Sequence, residues 1–96
     1  MKVSKANWSV YILRCADGSL YTGIAKDTAR RLQQHNRGVG SKYTRSRRPV
    51  ELVFTATCSS HGEALSREHA IKRMSARQKR EMIGACRSEI SEPPSP

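Results

Sequence analysis

The strongest constraint on the fold of this chain is a pair of alternating apolar segments joined by a short polar turn. Residues 8–14 and 19–25 carry the alternation of β-strands, and Asp17 and Gly18 lie between them. Aspartate and glycine suit tight hairpin turns, because glycine adopts a positive φ without steric cost. The sequence therefore predicts an antiparallel hairpin near the N-terminus.

The length of this turn decides which side chains share a face of the hairpin. A three-residue loop ending in a left-handed glycine pairs Leu13 with Tyr21 and Tyr11 with Gly23. The two tyrosines then lie on one face, since side chains alternate along a strand. A two-residue turn would shift the pairing by one residue and separate them. With the longer loop, the opposite face is a core layer of Trp8, Val10, Ile12, Leu20, Thr22 and Ile24.

Size and charge limit the class of protein. A chain of 96 residues supports one domain with a small core. Its formal net charge of +10 favours a polyanionic partner. Nucleic acid is favoured over a membrane surface, because aromatic residues are only 5 % of the chain and no basic helix carries bulky anchors. No run is long and apolar enough to predict a membrane span or a signal peptide.

Cysteine usage indicates the compartment. Cys15, Cys58 and Cys86 are odd in number, far apart and never paired as Cys-x-x-Cys. This usage argues against a disulfide framework and against a structural zinc site. We therefore expect free thiols and a cytoplasmic protein.

Capping signals delimit the elements after the hairpin. Asp27 is suited to the N-cap of a helix that Gly38 ends. A β-branched run after Pro49 predicts a third strand, and capping boxes that begin at Ser60 and Ser75 predict two further helices. The order hairpin, helix, strand, helix, helix indicates one α+β domain. We assign it to residues 8–86, between a flexible N-terminus (1–7) and a disordered tail (87–96).

The segment between the first helix and the third strand is strongly basic. Residues 38–48 contain four cations and Tyr43 but no acidic residue. We interpret this segment as a mobile basic loop that contacts nucleic acid, and the alternative is a solvated connection without a ligand. Together with neighbouring cations, the predicted nucleic-acid contacts are Lys26, Arg30, Lys42, Tyr43, Arg45, Arg47, Arg48, Lys72 and Arg77.

One acidic residue interrupts an apolar stripe of the second predicted helix. Glu68 lies three residues after Leu65 and three before Ile71, and an unpaired carboxylate is costly to bury there. It therefore needs a cation. One alternative is a salt bridge to Arg31, Arg67 or Lys72. The other is a divalent metal at the rim of a pocket, since one hard oxygen ligand with several waters suits Mg²⁺ or Mn²⁺.

The hairpin tyrosines and the histidine of the first helix each have an ordinary structural explanation. Tyrosine is common in strands, so Tyr11 and Tyr21 alone indicate packing. His35 alone indicates a cap or a hydrogen bond within its helix. Arg31 and His35 are four residues apart and therefore lie on one helix face. These residues become informative only as an ordered set.

Taken in order, this set resembles the GIY-YIG nuclease superfamily. Ser9-Val10-Tyr11 corresponds to the first triplet and Tyr21-Thr22-Gly23 to the second, and Arg31, His35 and Glu68 follow. The likeness covers nearly the whole predicted domain and is strongest to the small, single-domain bacterial branch of YhbQ-like proteins. No single triplet is specific, whereas the ordered set is.

The resemblance implies a fold and an activity. The fold would be α+β, with a small three-stranded antiparallel sheet flanked by three helices. The chemistry would be hydrolysis of DNA phosphodiester bonds by a monomer with one divalent metal, Mg²⁺ or Mn²⁺. One small site cuts one strand at a time, and Tyr43 is a candidate stacking platform for a base. Both features favour single-stranded or branched DNA over plain duplex.

The resemblance also implies a role for each residue of the set. Glu68 would bind the metal, and Arg31 would stabilise charge that develops on the phosphate. Tyr11 would orient or deprotonate the attacking water, and Tyr21 and His35 would complete the hydrogen bonds around water and phosphate. A free phenol has a pKa of about 10, so a nearby cation is needed for base catalysis. The spacing leaves open whether Tyr11 or His35 takes the proton.

The chain departs from the family pattern at two places. Ser9 stands where the first triplet has glycine, which removes backbone freedom but no reactive group. Some relatives also carry an asparagine late in the domain, whereas the asparagines here are Asn7 and Asn36. Two alternatives remain at this point, a noncatalytic nucleic-acid-binding module of the same fold and an enzyme that acts on RNA.

Overall fold

The computed structural model describes residues 7–90, with side chains to residue 85. This range contains three strands and four helices, β1 (Trp8–Arg14), β2 (Leu20–Ala25), α1 (Thr28–Asn36), α2 (Lys42–Arg45), β3 (Glu51–Cys58), α3 (His61–Lys72) and α4 (Ala76–Ile90). The strands form one antiparallel sheet in the order β2-β1-β3. The predicted α+β fold is confirmed.

The domain limits differ slightly from the prediction. Helix α4 continues to Ile90, past the expected domain end at residue 86. Most of the predicted flexible N-terminus and the last part of the predicted tail lie outside the described residues. Within residues 7–90, no helix is long and apolar enough to cross a membrane.

The hairpin has the register that a three-residue loop predicts. Leu13 pairs with Tyr21, and Tyr11 pairs with Gly23. Gly18 has a φ of 86°, the left-handed conformation that this loop requires. The two tyrosines therefore leave the sheet on the same face.

Apolar side chains cover both faces of the sheet. One layer lies between the sheet and the helices α3 and α4, and its members are Val10, Ile12, Val53, Phe54, Cys58, Ala64, Ile71 and Ile83. The other layer lies beneath Leu32 of α1 and is made of Tyr11, Leu13, Cys15, Ala25 and Val50. The central strand β1 contributes to both layers, which explains why Val10 to Leu13 are all buried.

The predicted caps are present. The Asp27 carboxylate accepts the hydrogen bond of a backbone N–H in the first turn of α1, and Gly38 ends the helix with a φ of 87°. Ser60 caps α3 in the same way. Ser75 and Gln78 form a reciprocal capping box at the start of α4, because each side chain bonds the other's backbone N–H. These local signals fix where the helices begin.

The interpretation of residues 38–48 as a mobile loop is wrong in one respect, because the segment contains helix α2. Ser41 caps this short helix by accepting the backbone N–H of Thr44 at 3.2 Å. The Thr44 side chain is completely buried. Helix α2 was not predicted because two of its four residues are basic and exposed, and only Thr44 turns inward.

The inward stripe of α3 is the predicted one except at Leu65. Leu65 is 45 % exposed, whereas Ala64 and Ile71 are buried. Glu68 is one turn from each of them, so its side chain still lies on the inward side, with 20 % of its surface exposed. The unusual position of this carboxylate is therefore confirmed.

The side chain of Asn36 joins the end of α1 to the start of β3. Its amide donates to the carbonyl of Val50 at 3.0 Å and accepts the Val50 N–H at 2.8 Å. Because Val50 is buried, Asn36→Ala should leave two backbone groups unpaired and lower the free energy of unfolding by about 2–4 kcal/mol. Urea unfolding followed by the single tryptophan, Trp8, measures this loss.

The matched control for this variant is Gln33→Ala, an exposed position on the same helix. It should change the free energy of unfolding by less than about 0.5 kcal/mol. Equal losses in the two variants would contradict the assigned role of Asn36.

Candidate active site

A buried hydrogen bond between a strand and a helix forms the centre of the site. The hydroxyl oxygen of Tyr11, on β1, lies 3.0 Å from Nε2 of His35, on α1. Tyr11 is 2 % exposed and His35 is completely buried. Strand parity and the helix period turn both residues towards the same space, so the structure brings these two predicted residues together.

Two glycines make room for this pair. Gly23 lies opposite Tyr11, and a Cβ at that position would be 2.6 Å from the Tyr11 hydroxyl oxygen. A Cβ at Gly40 would overlap the ring of His35. The glycine of the second triplet is therefore needed for space, because Tyr11 passes directly over it.

The second ring nitrogen of His35 also has a partner. Its Nδ1 lies 2.7 Å from Oγ1 of Thr44, and that oxygen lies 3.0 Å from Oγ of Ser41. Neither the Ser41 cap nor a bond between α2 and α1 is predicted by the sequence. Thr44 is thus a residue of the site that sequence reasoning missed.

Arg31 is held at the edge of the same space. Its guanidinium donates to the Gln34 side chain at 2.9 Å and to the Gly40 carbonyl at 3.2 Å. The side chain is half-buried, and its charge acts on the pKa values of both Tyr11 and His35. Arg31 therefore places a fixed positive charge beside the buried pair.

Tyr21 covers His35 and extends the site towards the surface. Its ring meets the His35 ring edge-on at 5.2 Å between centroids, and it stacks on Tyr43 at 5.8 Å. The guanidinium carbon of Arg47 lies 4.0 Å from the Tyr43 ring centre. Tyr43, predicted to stack on nucleic acid, is thus already engaged within the protein, and a base would compete with Arg47 for it.

Glu68 approaches the site from α3. Its carboxylate raises the pKa of Tyr11 as a minor contribution, which places its charge near that hydroxyl. Its direct partner is Lys72, at 3.1 Å, so the predicted structural alternative is present. The Lys72 side chain is 54 % exposed, and a pair with one exposed member contributes at most about 1 kcal/mol.

The donors at this site fit a hard divalent cation. In the described part of the chain, no three His, Cys, Asp or Glu residues cluster as a closed metal site. A single carboxylate suits Mg²⁺ or Mn²⁺, which retain waters and take phosphate oxygens as further ligands. It does not suit structural zinc, which needs four protein ligands. Glu68 is therefore the residue that could hold such an ion.

Burial keeps the central pair neutral. Burial raises the pKa of Tyr11, while the nearby Arg31 acts in the opposite direction. Burial also lowers the pKa of His35, and the positive charge of Arg31 lowers it further. At neutral pH the site therefore contains a phenol and an uncharged imidazole, joined by a hydrogen bond.

The predicted nucleic-acid contacts fall into two groups. Three cations have acidic partners within 3.4 Å, and these are Arg47 with Asp17, Lys72 with Glu68 and Arg77 with Glu81. The other five cations have no acidic partner among residues 7–85, and these are Lys26, Arg30, Lys42, Arg45 and Arg48. Lys26 lies over the ring of Trp8, and the remaining four lie on α1, α2 and the residues just after α2.

Two of these unpaired cations line a surface cavity. Arg45 and Arg48 border an open space of about 530 Å³ together with Asn36, Ser46 and Pro49. The Arg48 guanidinium is fixed by the carbonyl of Arg45 at 2.9 Å. The structure thus places fixed positive charge beside α1, the helix that carries Arg31 and His35.

The fold and this site define the class of protein. The model of the GIY-YIG catalytic domain matches residues 7–81. The chain therefore belongs to the GIY-YIG family, and this membership indicates a nuclease.

Similar proteins indicate which branch of the family the chain resembles. A UPF0213 protein of Desulfotalea psychrophila is 51 % identical over 85 residues, which are 88 % of this chain and 77 % of that protein. A UPF0213 protein of Staphylococcus epidermidis is 55 % identical over 74 residues, 77 % of this chain and 90 % of that protein. These small bacterial proteins agree with the branch that the sequence resembles.

Solved structures support the same branch. The solution NMR structure of a UPF0213 protein from Bacillus halodurans matches with a TM-score of 0.54 at 44 % identity, covering 82 % of this chain and 84 % of that one. A protein from E. faecalis matches with a TM-score of 0.60 at 33 % identity, covering 99 % and 100 % of the two chains.

Gly40 gives a test of the space that the site requires. In Gly40→Ala the new methyl group overlaps the His35 ring, so we expect a loss of about 1–3 kcal/mol in the free energy of unfolding. The control is Gly84→Ala in α4, where a Cβ meets no atom within 4 Å. That variant should be neutral or more stable by up to about 1 kcal/mol. Thermal unfolding of both variants measures these changes, and equal stability of Gly40→Ala and the wild type would contradict the prediction.

The pKa of His35 gives a test by pH. Because the folded pKa is lowered, the unfolded ring binds protons first, below a pH of about 6.5. Stability should therefore fall as the pH falls from 7 through 6.5 towards the folded pKa. Urea unfolding at pH 7 and pH 5 measures the free energy of unfolding, and its decrease between the two should be smaller for His35→Gln than for the wild type. Equal decreases would show that His35 is not the cause.

Proposed function

We propose that this chain is a metal-dependent endonuclease that hydrolyses phosphodiester bonds of DNA. The observation that carries the proposal is the buried bond between Tyr11 and His35, with the Arg31 guanidinium fixed beside it. A structural tyrosine would need only one polar partner. Here the phenol has a base on one side and a fixed cation near it, which is the arrangement that proton transfer next to a phosphate needs.

The substrate class follows from charge. The chain carries a formal charge of +10, and four of the predicted contact cations that have no acidic partner among residues 7–85 lie on α1 and around α2, namely Arg30, Lys42, Arg45 and Arg48. A polyanion that docks there would bring its backbone next to Arg31. Such binding should weaken steeply with salt, because each neutralised phosphate releases counterions.

Tyr11 is the group that receives a proton from the attacking water. The water O–H bond breaks as the Tyr11 hydroxyl passes its own proton to Nε2 of His35, so no free phenolate has to form. The water oxygen forms the new bond to phosphorus, the bond to the leaving oxygen breaks, and that oxygen takes a proton from solvent. Nε2 of His35 then returns its proton to Tyr11 as Tyr11 releases one to solvent, which restores the site. Because His35 is completely buried, it meets the substrate only through Tyr11.

Arg31 and Tyr21 act on the phosphate. Arg31 is fixed by Gln34 and the Gly40 carbonyl, so it can stabilise developing negative charge without reorganising. Tyr21 is half-buried and closes the site over His35. A divalent ion held by Glu68, Mg²⁺ or Mn²⁺, would supply Lewis acidity to the phosphate oxygens.

A single site in one chain favours cleavage of one strand at a time. We therefore propose single-stranded or branched DNA as the substrate and a monomer as the active form. Because the Tyr43 ring already contacts Tyr21 and Arg47, its stacking on a base does not support this preference. The preference rests on the single site alone. The buried free thiols of Cys15 and Cys58 agree with the cytoplasmic location that we propose.

One cleavage experiment tests the proposal. End-labelled single-stranded, duplex and branched DNA and an RNA control are incubated with the wild type and Glu68→Gln, in Mg²⁺, in Mn²⁺ and in chelator. We expect cutting that requires metal, prefers strands that are not fully paired, and falls at least about 100-fold in Glu68→Gln. The variant should still bind DNA, because it loses a negative charge.

Glu81→Gln is the matched control, since Glu81 is an exposed acid on α4 that pairs with Arg77. It should cut like the wild type. Binding without cutting on every substrate would favour a noncatalytic nucleic-acid-binding module of this fold. Cutting of RNA alone would change the substrate class.

A further inference from the structure

We propose that Thr44 is a positioning residue that holds His35 in the tautomer with hydrogen on Nδ1, so that Nε2 is free to take the Tyr11 proton. This inference deepens the proposed function and rests on it. Thr44 lies on α2, inside the basic segment that the sequence presents as a loop.

The geometry makes Thr44 part of a continuous buried chain of polar groups. Its Oγ1 lies 2.7 Å from Nδ1 of His35, whose Nε2 lies 3.0 Å from the Tyr11 hydroxyl. On its other side the same oxygen lies 3.0 Å from Oγ of Ser41. Thr44 and His35 are both completely buried, so each hydrogen in this chain needs a partner from within the protein.

Only one tautomer of His35 gives every hydrogen of the pair an acceptor. Among residues 7–85, the only group within hydrogen-bonding distance of the Tyr11 hydroxyl that can accept its hydrogen is Nε2 of His35. If Nε2 carried a hydrogen, the buried Tyr11 hydrogen would have no acceptor, which is unfavourable. With Nε2 bare, Nδ1 carries the hydrogen and donates it to Thr44.

Ser41 completes this arrangement. The Thr44 hydroxyl hydrogen can be accepted by Oγ of Ser41 at 3.0 Å or by the Ser41 carbonyl at 3.4 Å. Thr44 is then free to accept from Nδ1 of His35. Every buried hydrogen from Ser41 to Tyr11 is satisfied, and all the bonds run in one direction.

The surroundings of His35 favour the same state. Tyr11 faces it from β1, Tyr21 from β2 and Thr44 from α2, and Arg31 is the charged group on its own helix. None of these groups offers a negative charge to the Nδ1 side. The threonine oxygen is therefore the acceptor that holds this hydrogen, in the role that a carboxylate or carbonyl serves in other catalytic histidines.

The tautomer determines whether the proton relay can operate. With Nε2 bare, the Tyr11 hydrogen moves to His35 as the hydrogen of the attacking water moves to Tyr11. One O–H bond breaks and one forms on Tyr11, and one N–H bond forms on Nε2. With the hydrogen already on Nε2, His35 could not accept, and the relay would stop at Tyr11.

The test compares Thr44→Val, which keeps the shape but removes the hydroxyl, with Thr44→Ser, which keeps the hydroxyl. We expect kcat to fall about 10- to 100-fold in Thr44→Val, with KM unchanged because Thr44 cannot touch DNA. Thr44→Ser should recover most of the activity. Thr57→Val, an exposed threonine on β3, is the matched control and should behave as wild type.

Imidazole nitrogen NMR reads the tautomer without any substrate. In the wild type and Thr44→Ser the His35 signals should show hydrogen on Nδ1, and in Thr44→Val this preference should be lost. Signals that show hydrogen on Nε2 in the wild type would overturn the proposal, as would full activity in a folded Thr44→Val variant.

The two readouts separate this proposal from the proposed function. If the wild type cuts nothing, the catalytic role of Thr44 fails together with the nuclease. If the wild type cuts and Thr44→Val cuts equally well, only the role of Thr44 fails. A loss of activity in Thr44→Ser equal to that in Thr44→Val, with both variants folded, would show that packing rather than the hydroxyl matters.

Discussion

The hydrogen bond between Tyr11 and His35 is the constraint on which the rest of this small structure depends. It joins the central strand to α1 with both groups out of water, so neither can be left unpaired without a cost of about 1–3 kcal/mol. Its formation requires glycine at positions 23 and 40, because any Cβ would occupy the space of one of the two rings. Gly23, the glycine of the second triplet, therefore meets a packing requirement.

Much of the fold could be predicted because its signals are local. The left-handed Gly18 fixes the hairpin loop, and the loop fixes which residues face each other, so the shared face of Tyr11 and Tyr21 follows from the sequence alone. The caps at Asp27 and Ser75 act within one helical turn. The ordered set of site residues was identified through its resemblance to the GIY-YIG family, whereas strand parity and helix period account only for the shared faces of Tyr11 with Tyr21 and of Arg31 with His35.

The rest of the site could not be predicted, because it depends on contacts between different elements rather than on signals within one element. Thr44 bonds to a histidine on another helix, and nothing in its neighbourhood indicates that one side of the basic segment is buried. Arg47 is similar, because its acidic partner, Asp17, lies in the hairpin turn. The composition of residues 38–48 shows only that the segment is basic. Its structure depends on the side chain that turns inward, which is Thr44.

The position of Glu68 depends on the cation that faces it. A carboxylate on an inward stripe needs a positive charge, and Lys72 supplies one from the next helical turn. Because the Lys72 side chain is half-exposed, this pair is weak. In the proposed nuclease a divalent ion would replace Lys72 as the partner of Glu68, and the weak pair would leave the carboxylate available as a ligand.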